Sequence, residues 1–176
     1  AIDTARECRD LGIKNVAVTA GYINEKARLD FFEFMDAVNI DLKAFSDDFY
    51  KEYCKASLQP VLDTLLYLKN ETNVWIEITT LLIPGLNDSE KEILKMTTWI
   101  KQNLGTEVPL HFSAFHPAYQ LNNIPPTPES TLKRARKIAL DNGLEFVYTG
   151  NIIDLVGAST YCPNCGETLA QRAYYD

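Results

Sequence analysis

The feature that most constrains this chain is a regular alternation of helical and strand patterns along its length. Strand-like runs occur at Val16 to Thr19, Val38 to Leu42, Val74 to Ile83, Leu110 to Phe115 and Phe146 to Thr149. They are short, apolar and rich in residues that suit a pleated surface. Helical patterns separate them. The stretch Leu58 to Lys69 places Leu58, Val61, Leu62, Leu65, Leu66 and Leu68 near a helical period. Local signals mark the ends: Gly12 follows a first helix reaching Leu11, and Ser46 caps a short helix through Tyr53. Ser89 and Glu92 form a capping box, and Thr127 with Pro128 starts a later helix. Such alternation predicts an α/β fold with a parallel sheet of about five strands and right-handed crossovers.

The polar residues on these strands point to function. In VNIDLK, Val38, Ile40 and Leu42 share one face, and Asn39, Asp41 and Lys43 share the other. Ile76 and Ile78 oppose Glu77 and Thr79 on the next strand, and His111 and Ser113 share a face on the one after it. A parallel strand covered on both sides is expected to be apolar throughout. Three strands with one polar face therefore predict a hydrated or ligand-filled crevice. A solvated Asp41–Lys43 pair at a strand end is the plain alternative. The loops that follow strands carry function in parallel folds. Two stand out, IPGLND at Ile83 to Asp88 and the Pro-rich stretch His116 to Thr127.

Composition narrows the classes. The 176 residues carry a net charge of −7, which argues against a nucleic-acid partner. No segment is apolar for the roughly 18 residues a membrane span needs. Four cysteines are too few and too scattered for a secreted disulfide framework, so a reducing, cytoplasmic setting is expected. The helix-like start without Met reads as a cut in a longer protein.

The ordered segments VTAGYI, VNIDLKAF, IPGLND, VPLHFSAFHPAY, PPTPESTL, VYTGN and TYCPNCG extend over nearly the whole chain. Together they resemble radical S-adenosylmethionine (SAM) enzymes of the pyruvate formate-lyase activating type. More closely, they resemble the radical SAM component of the AmmeMemoRadiSam system. The resemblance implies a partial (βα) barrel of which residues 1–151 form the C-terminal part, with the first two βα units missing. Residues 152–176 would form an irregular, poorly ordered tail. It implies cleavage of SAM at a [4Fe–4S] cluster to a 5′-deoxyadenosyl radical. It implies SAM contacts at Asp41 and Lys43, at the turn Ile83, Pro84 and Gly85, and at His116. A protein substrate and an electron donor such as flavodoxin or ferredoxin are the implied partners. The family's cluster motif CxxxCxxC and its Gly-Gly-Glu motif are absent from this sequence. The fragment alone is therefore expected to be inactive, with the cluster ligands lying upstream.

CPNCG carries two thiols, Cys162 and Cys165, in zinc-knuckle spacing. A closed zinc site needs four ligands, so this is half of one. Two other readings of the chain remain open. One is a barrel lyase or aldolase using Lys43, buried beside Glu77, as a Schiff-base amine. The other is a zinc-binding interaction module on a degenerate barrel.

Overall fold

The computed structural model describes residues 1–172. Five strands form one parallel sheet in chain order: β1 (Val16–Thr19), β2 (Ala37–Asp41), β3 (Trp75–Leu82), β4 (Leu110–Ala114) and β5 (Val147–Gly150). Helix α1 (Ile2–Asp10) precedes β1, and the helices between the strands are α2 (Glu25–Phe32), α3 (Asp47–Phe49), α4 (Gln59–Glu71), α5 (Glu90–Asn103) and α6 (Glu129–Asp141). All five expected strands are present within a residue or two of their expected ends. The short helix opened by Ser46 continues from α3 into a π-turn, Tyr50–Cys54, and stops at Lys55 in the left-handed conformation.

The apolar strand face and the helices make one core. Val38, Ile40, Leu42, Ile78, Leu110 and Phe112 are essentially fully buried. They join Leu65 and Leu68 of α4, Ile93 and Ile100 of α5, and Leu132 and Ala135 of α6 in one continuous cluster. Burying each large side chain contributes about 1.5–3 kcal/mol, so this face anchors the sheet. The opposite face keeps Asn39, Asp41, Glu77, Thr79, His111, Ser113 and Tyr148 partly exposed. At the edge strand β1 that open face becomes apolar, with Val16 64% and Val18 77% exposed.

Three expected details differ. Ser89 does cap α5 by accepting from Glu92 N–H, but the Glu92 carboxylate does not return to Ser89. It accepts instead from Phe45 N–H at 2.8 Å, so the box is only half formed. Thr127 is not an N-cap: Pro128 takes that place, and buried Thr127 hydrogen-bonds two strand ends. The chain after β5 is not an irregular tail. It forms α7 (Leu155–Ala158) and an antiparallel hairpin of β6 (Thr160–Tyr161) and β7 (Thr168–Ala170). The CPNCG segment makes that hairpin's turn, with Gly166 N–H donating to Cys162 O and Cys162 N–H to Glu167 O. Residues 173–176 of the expected tail lie outside the described residues.

Candidate functional site

The C-terminal ends of β2, β3 and β4 gather the polar residues expected to bind a ligand. Lys43 Nζ lies 2.6 Å from Asp41 Oδ2, with the two side chains 39% and 32% exposed. They stand two residues apart, so both project to the open face of the sheet. An exposed pair of this kind adds little stability. What distinguishes it is the backbone beneath.

Four side chains from behind the sheet hold the segment Leu42–Phe45. Thr80 Oγ1 donates to Leu42 O at 2.8 Å, and buried Tyr50 accepts from Lys43 N–H at 3.0 Å. Asn87 Nδ2 donates to Lys43 O at 2.7 Å, and Glu92 takes Phe45 N–H. Burial pushes the Tyr50 phenol well above its usual range, so it stays a neutral hydroxyl. Burial likewise raises the Glu92 carboxyl, opposed by its hydrogen bond from Phe45. With both faces of its peptide fixed, Lys43 has only its own side-chain rotamers left to sample.

The same Asn87 shapes the neighbouring loop. It is 3% exposed, and its Oδ1 accepts from Ile83 N–H at 2.7 Å while Nδ2 also donates to Leu81 O at 2.9 Å. The turn Ile83, Pro84, Gly85 is thus tied directly to Lys43. Gly85 has φ +77°, a conformation glycine adopts without strain, and its N–H is taken by Asp88. Ile83 is buried, Pro84 half-buried and Gly85 exposed. Thr127 does for β4 what Asn87 does for β3. Its hydroxyl accepts from Phe115 N–H and donates to Leu82 O, fixing the root of the loop that carries His116. His116 itself is exposed beyond that anchor.

The expected SAM-contact residues therefore all lie at the same ends of three adjacent strands. Only Asp41 and Lys43 touch directly. The clamps Thr80, Tyr50, Asn87, Glu92 and Thr127 escaped the sequence reading. Locally, Asn87 and Glu92 carry only the signals of a turn and a helix cap.

The structure does not place Lys43 beside Glu77, as a buried Schiff-base lysine would require. Glu77 aligns with Asn39, four residues before Lys43 on β2, a separation of about 13 Å along the strand. Lys43 is paired with Asp41 and two-fifths exposed. Glu77 instead accepts from Trp75 Nε1 at 3.2 Å and lies 3.0 Å from His111 Nε2. The His111 hydrogen bond holds the Glu77 carboxyl below its ordinary value, so Glu77 accepts and Nε2 donates. His111 stacks on Tyr148 at 5.0 Å between ring centres.

At the hairpin, the N–H groups of Cys165 and Asn164 lower the Cys162 thiol from its ordinary value. This suits a thiolate ligand. Among the described residues, however, no group of three or more His, Cys, Asp or Glu side chains could hold a metal ion. Zinc thus has two thiols and no closed site here. No helix among the described residues is long and apolar enough to cross a membrane.

Comparison with known proteins agrees with the topology. No family model matches the chain. An uncharacterized protein of Methanocaldococcus jannaschii, MJ0808, is 45% identical over 174 residues, covering 99% of this chain and 51% of its own length. The chain thus spans about half of that relative. Among solved structures, a domain of pyruvate-formate lyase-activating enzyme from Bacteroides vulgatus matches with a TM-score of 0.73 at 18% identity. The match covers 85% of this chain and 89% of that one. A radical SAM methyltransferase from Sphaerobacter thermophilus matches with a TM-score of 0.64 at 15% identity, over 90% and 46% of the two chains. TYW1 with a lysine–pyruvate adduct bound matches at 0.57 and 17%, over 80% and 45%. At these identities the likeness establishes the fold: a five-stranded parallel α/β sheet of the radical SAM partial-barrel kind.

Proposed function

We propose that this chain is the SAM-binding part of a radical SAM oxidoreductase of the pyruvate formate-lyase activating type, within the AmmeMemoRadiSam group. The observation that carries the reading is the Asp41–Lys43 pair, presented at a strand end by a backbone gripped from four sides. Shared topology with three radical SAM-type folds supports it.

The donor set fits SAM. Lys43 pairs with the methionine carboxylate and Asp41 accepts from ribose hydroxyls or the ammonium. The Ile83–Pro84–Gly85 turn flanks the adenine, and His116 approaches the adenosine from its loop. The donor set does not fit a [4Fe–4S] cluster, whose ligands this reading places outside residues 1–172; the relative from Methanocaldococcus jannaschii is about twice this chain's length. A cluster held by such ligands would supply the electron for reductive cleavage of SAM. The chain's own residues bind and orient SAM and take no part in the electron transfer. In the cytoplasmic setting proposed, flavodoxin or ferredoxin is the electron donor and a protein is the substrate, by analogy with glycyl-radical activation. The hairpin thiols Cys162 and Cys165 serve as half of a structural metal site, zinc by ligand chemistry, completed by thiols outside residues 1–172.

The test is anaerobic reduction of the full-length protein with SAM. Stoichiometric 5′-deoxyadenosine and methionine are expected. A reduced, iron-loaded protein that leaves SAM intact would refute the assignment.

A further inference from the structure

A cavity lies at the opposite, N-terminal ends of the strands. It has a volume of about 600 Å3 and is lined by Trp75, Pro109, Phe146, Tyr148, His111 and Glu77, with Thr160 and Arg172 from the C-terminal hairpin region. None of the residues assigned to SAM lines it.

Its charges are unequally satisfied. The Glu77 carboxylate takes N–H groups from Trp75 and His111. Arg172 acts on Glu77 through space, without a hydrogen bond to it among the described residues. Its Nη1 donates to Ala158 O at 3.0 Å and Thr160 Oγ1 at 2.8 Å, both neutral acceptors. Its guanidinium sits 5.5 Å from the centre of the Tyr148 ring, which stacks on His111 and hydrogen-bonds Thr160. A guanidinium has five N–H donors in a planar fork, so the bonds Arg172 makes among the described residues leave donors for an anion. The walls offered beside it are aromatic or apolar: Trp75, Pro109 and Phe146.

We propose that this cavity binds a small molecule with a flat apolar body and a carboxylate, the acid held by Arg172 and the body lying against Trp75 and Phe146. The site is separate from the SAM site and does not depend on that assignment. It makes the C-terminal hairpin region a contributor to ligand binding as well as a cover for β5. A cavity with a few convergent polar groups and apolar walls has the build of a ligand pocket.

Benzoate, benzamide and benzylamine are the probes, titrated calorimetrically into the full-length protein without SAM. Benzoate is expected to bind one-to-one, about tenfold or more tighter than benzamide, the advantage a charge-assisted hydrogen bond gives. Arg172→Met is expected to remove that advantage while leaving benzamide affinity unchanged. Trp75→Ala is expected to weaken both. Arg172 is exposed, so its replacement leaves the fold intact, which a melting curve verifies. Equal affinity for benzoate and benzamide, tighter binding of benzylamine, an Arg172→Met protein that still prefers benzoate, or no binding at all would each overturn the proposal. None of these outcomes bears on SAM binding.

Discussion

The two ends of the open sheet face are built in different ways. At the C-terminal ends, buried side chains reach forward and hold backbone groups, while the paired, partly exposed Asp41 and Lys43 and the exposed His116 face the open side. At the N-terminal ends, the side chains Trp75, Glu77, His111, Tyr148 and Arg172 hold one another and leave a cavity between them. The first construction fixes where a side chain starts from, which suits orientation of a reactive molecule. The second allows rings and charges to adjust together around an occupant.

The largest effect should come from Asn87→Ala. It leaves Ile83 N–H, Lys43 O and Leu81 O without their buried partner, at a cost of about 2–4 kcal/mol in urea unfolding. A loss below 1 kcal/mol would mean that water replaces the clamp and that the two ends differ less than their geometry suggests.

The two carboxylates should separate the ends by pH. Glu77 is held below its ordinary value of 4.5, chiefly by His111. Its charged form stabilises the fold above that value, and the benefit fades as pH falls through 4.5 and then through the lowered folded value. Glu77→Gln should therefore be less stable than the parent at pH 7, with the gap closing in acid. Glu92 is raised above 4.5, chiefly by burial. Its charged form penalises the fold at neutral pH, and the penalty disappears as pH falls through the raised value toward 4.5. Glu92→Gln keeps an acceptor for Phe45 N–H and should be more stable than the parent at pH 7, again converging in acid. Unfolding curves at pH 7 and pH 4 check both signs, and like signs would break the contrast.

The smallest stability effect belongs to Asp41→Asn. With both partners about a third exposed, the ion pair contributes less than about 1 kcal/mol, and its loss should scarcely move the melting temperature. A large drop would make the pair structural instead of functional.

Much of this fold was legible from periodicity. The alternation of Val38, Ile40 and Leu42 with Asn39, Asp41 and Lys43 gave both the strand and its two faces, and the structure keeps that division. Most of the clamps were not legible, because they join residues distant in sequence; Tyr50, seven positions from Lys43, is the local exception. Glu92 reaches Phe45 across 47 positions and Thr80 reaches Leu42 across 38. Ser89 with Glu92, and Thr127 with Pro128, satisfied local capping rules, yet in each pair one side chain went to a strand end instead. Buried backbone groups left open at the strand ends need a partner, and a nearby polar side chain provides it. The hairpin was missed for another reason. Thr160–Tyr161 and Thr168–Ala170 are too short to show alternation, and only the CPNCG turn marked them.

The central claim is that the Asp41–Lys43 strand end binds SAM. Equilibrium dialysis of SAM against the full-length protein and its Lys43→Met variant tests it most directly. The account predicts saturable binding by the parent, weakened about tenfold to a hundredfold in the variant, with an unchanged melting temperature. Equal affinity in the two proteins, or no binding by the iron-loaded parent, would contradict it.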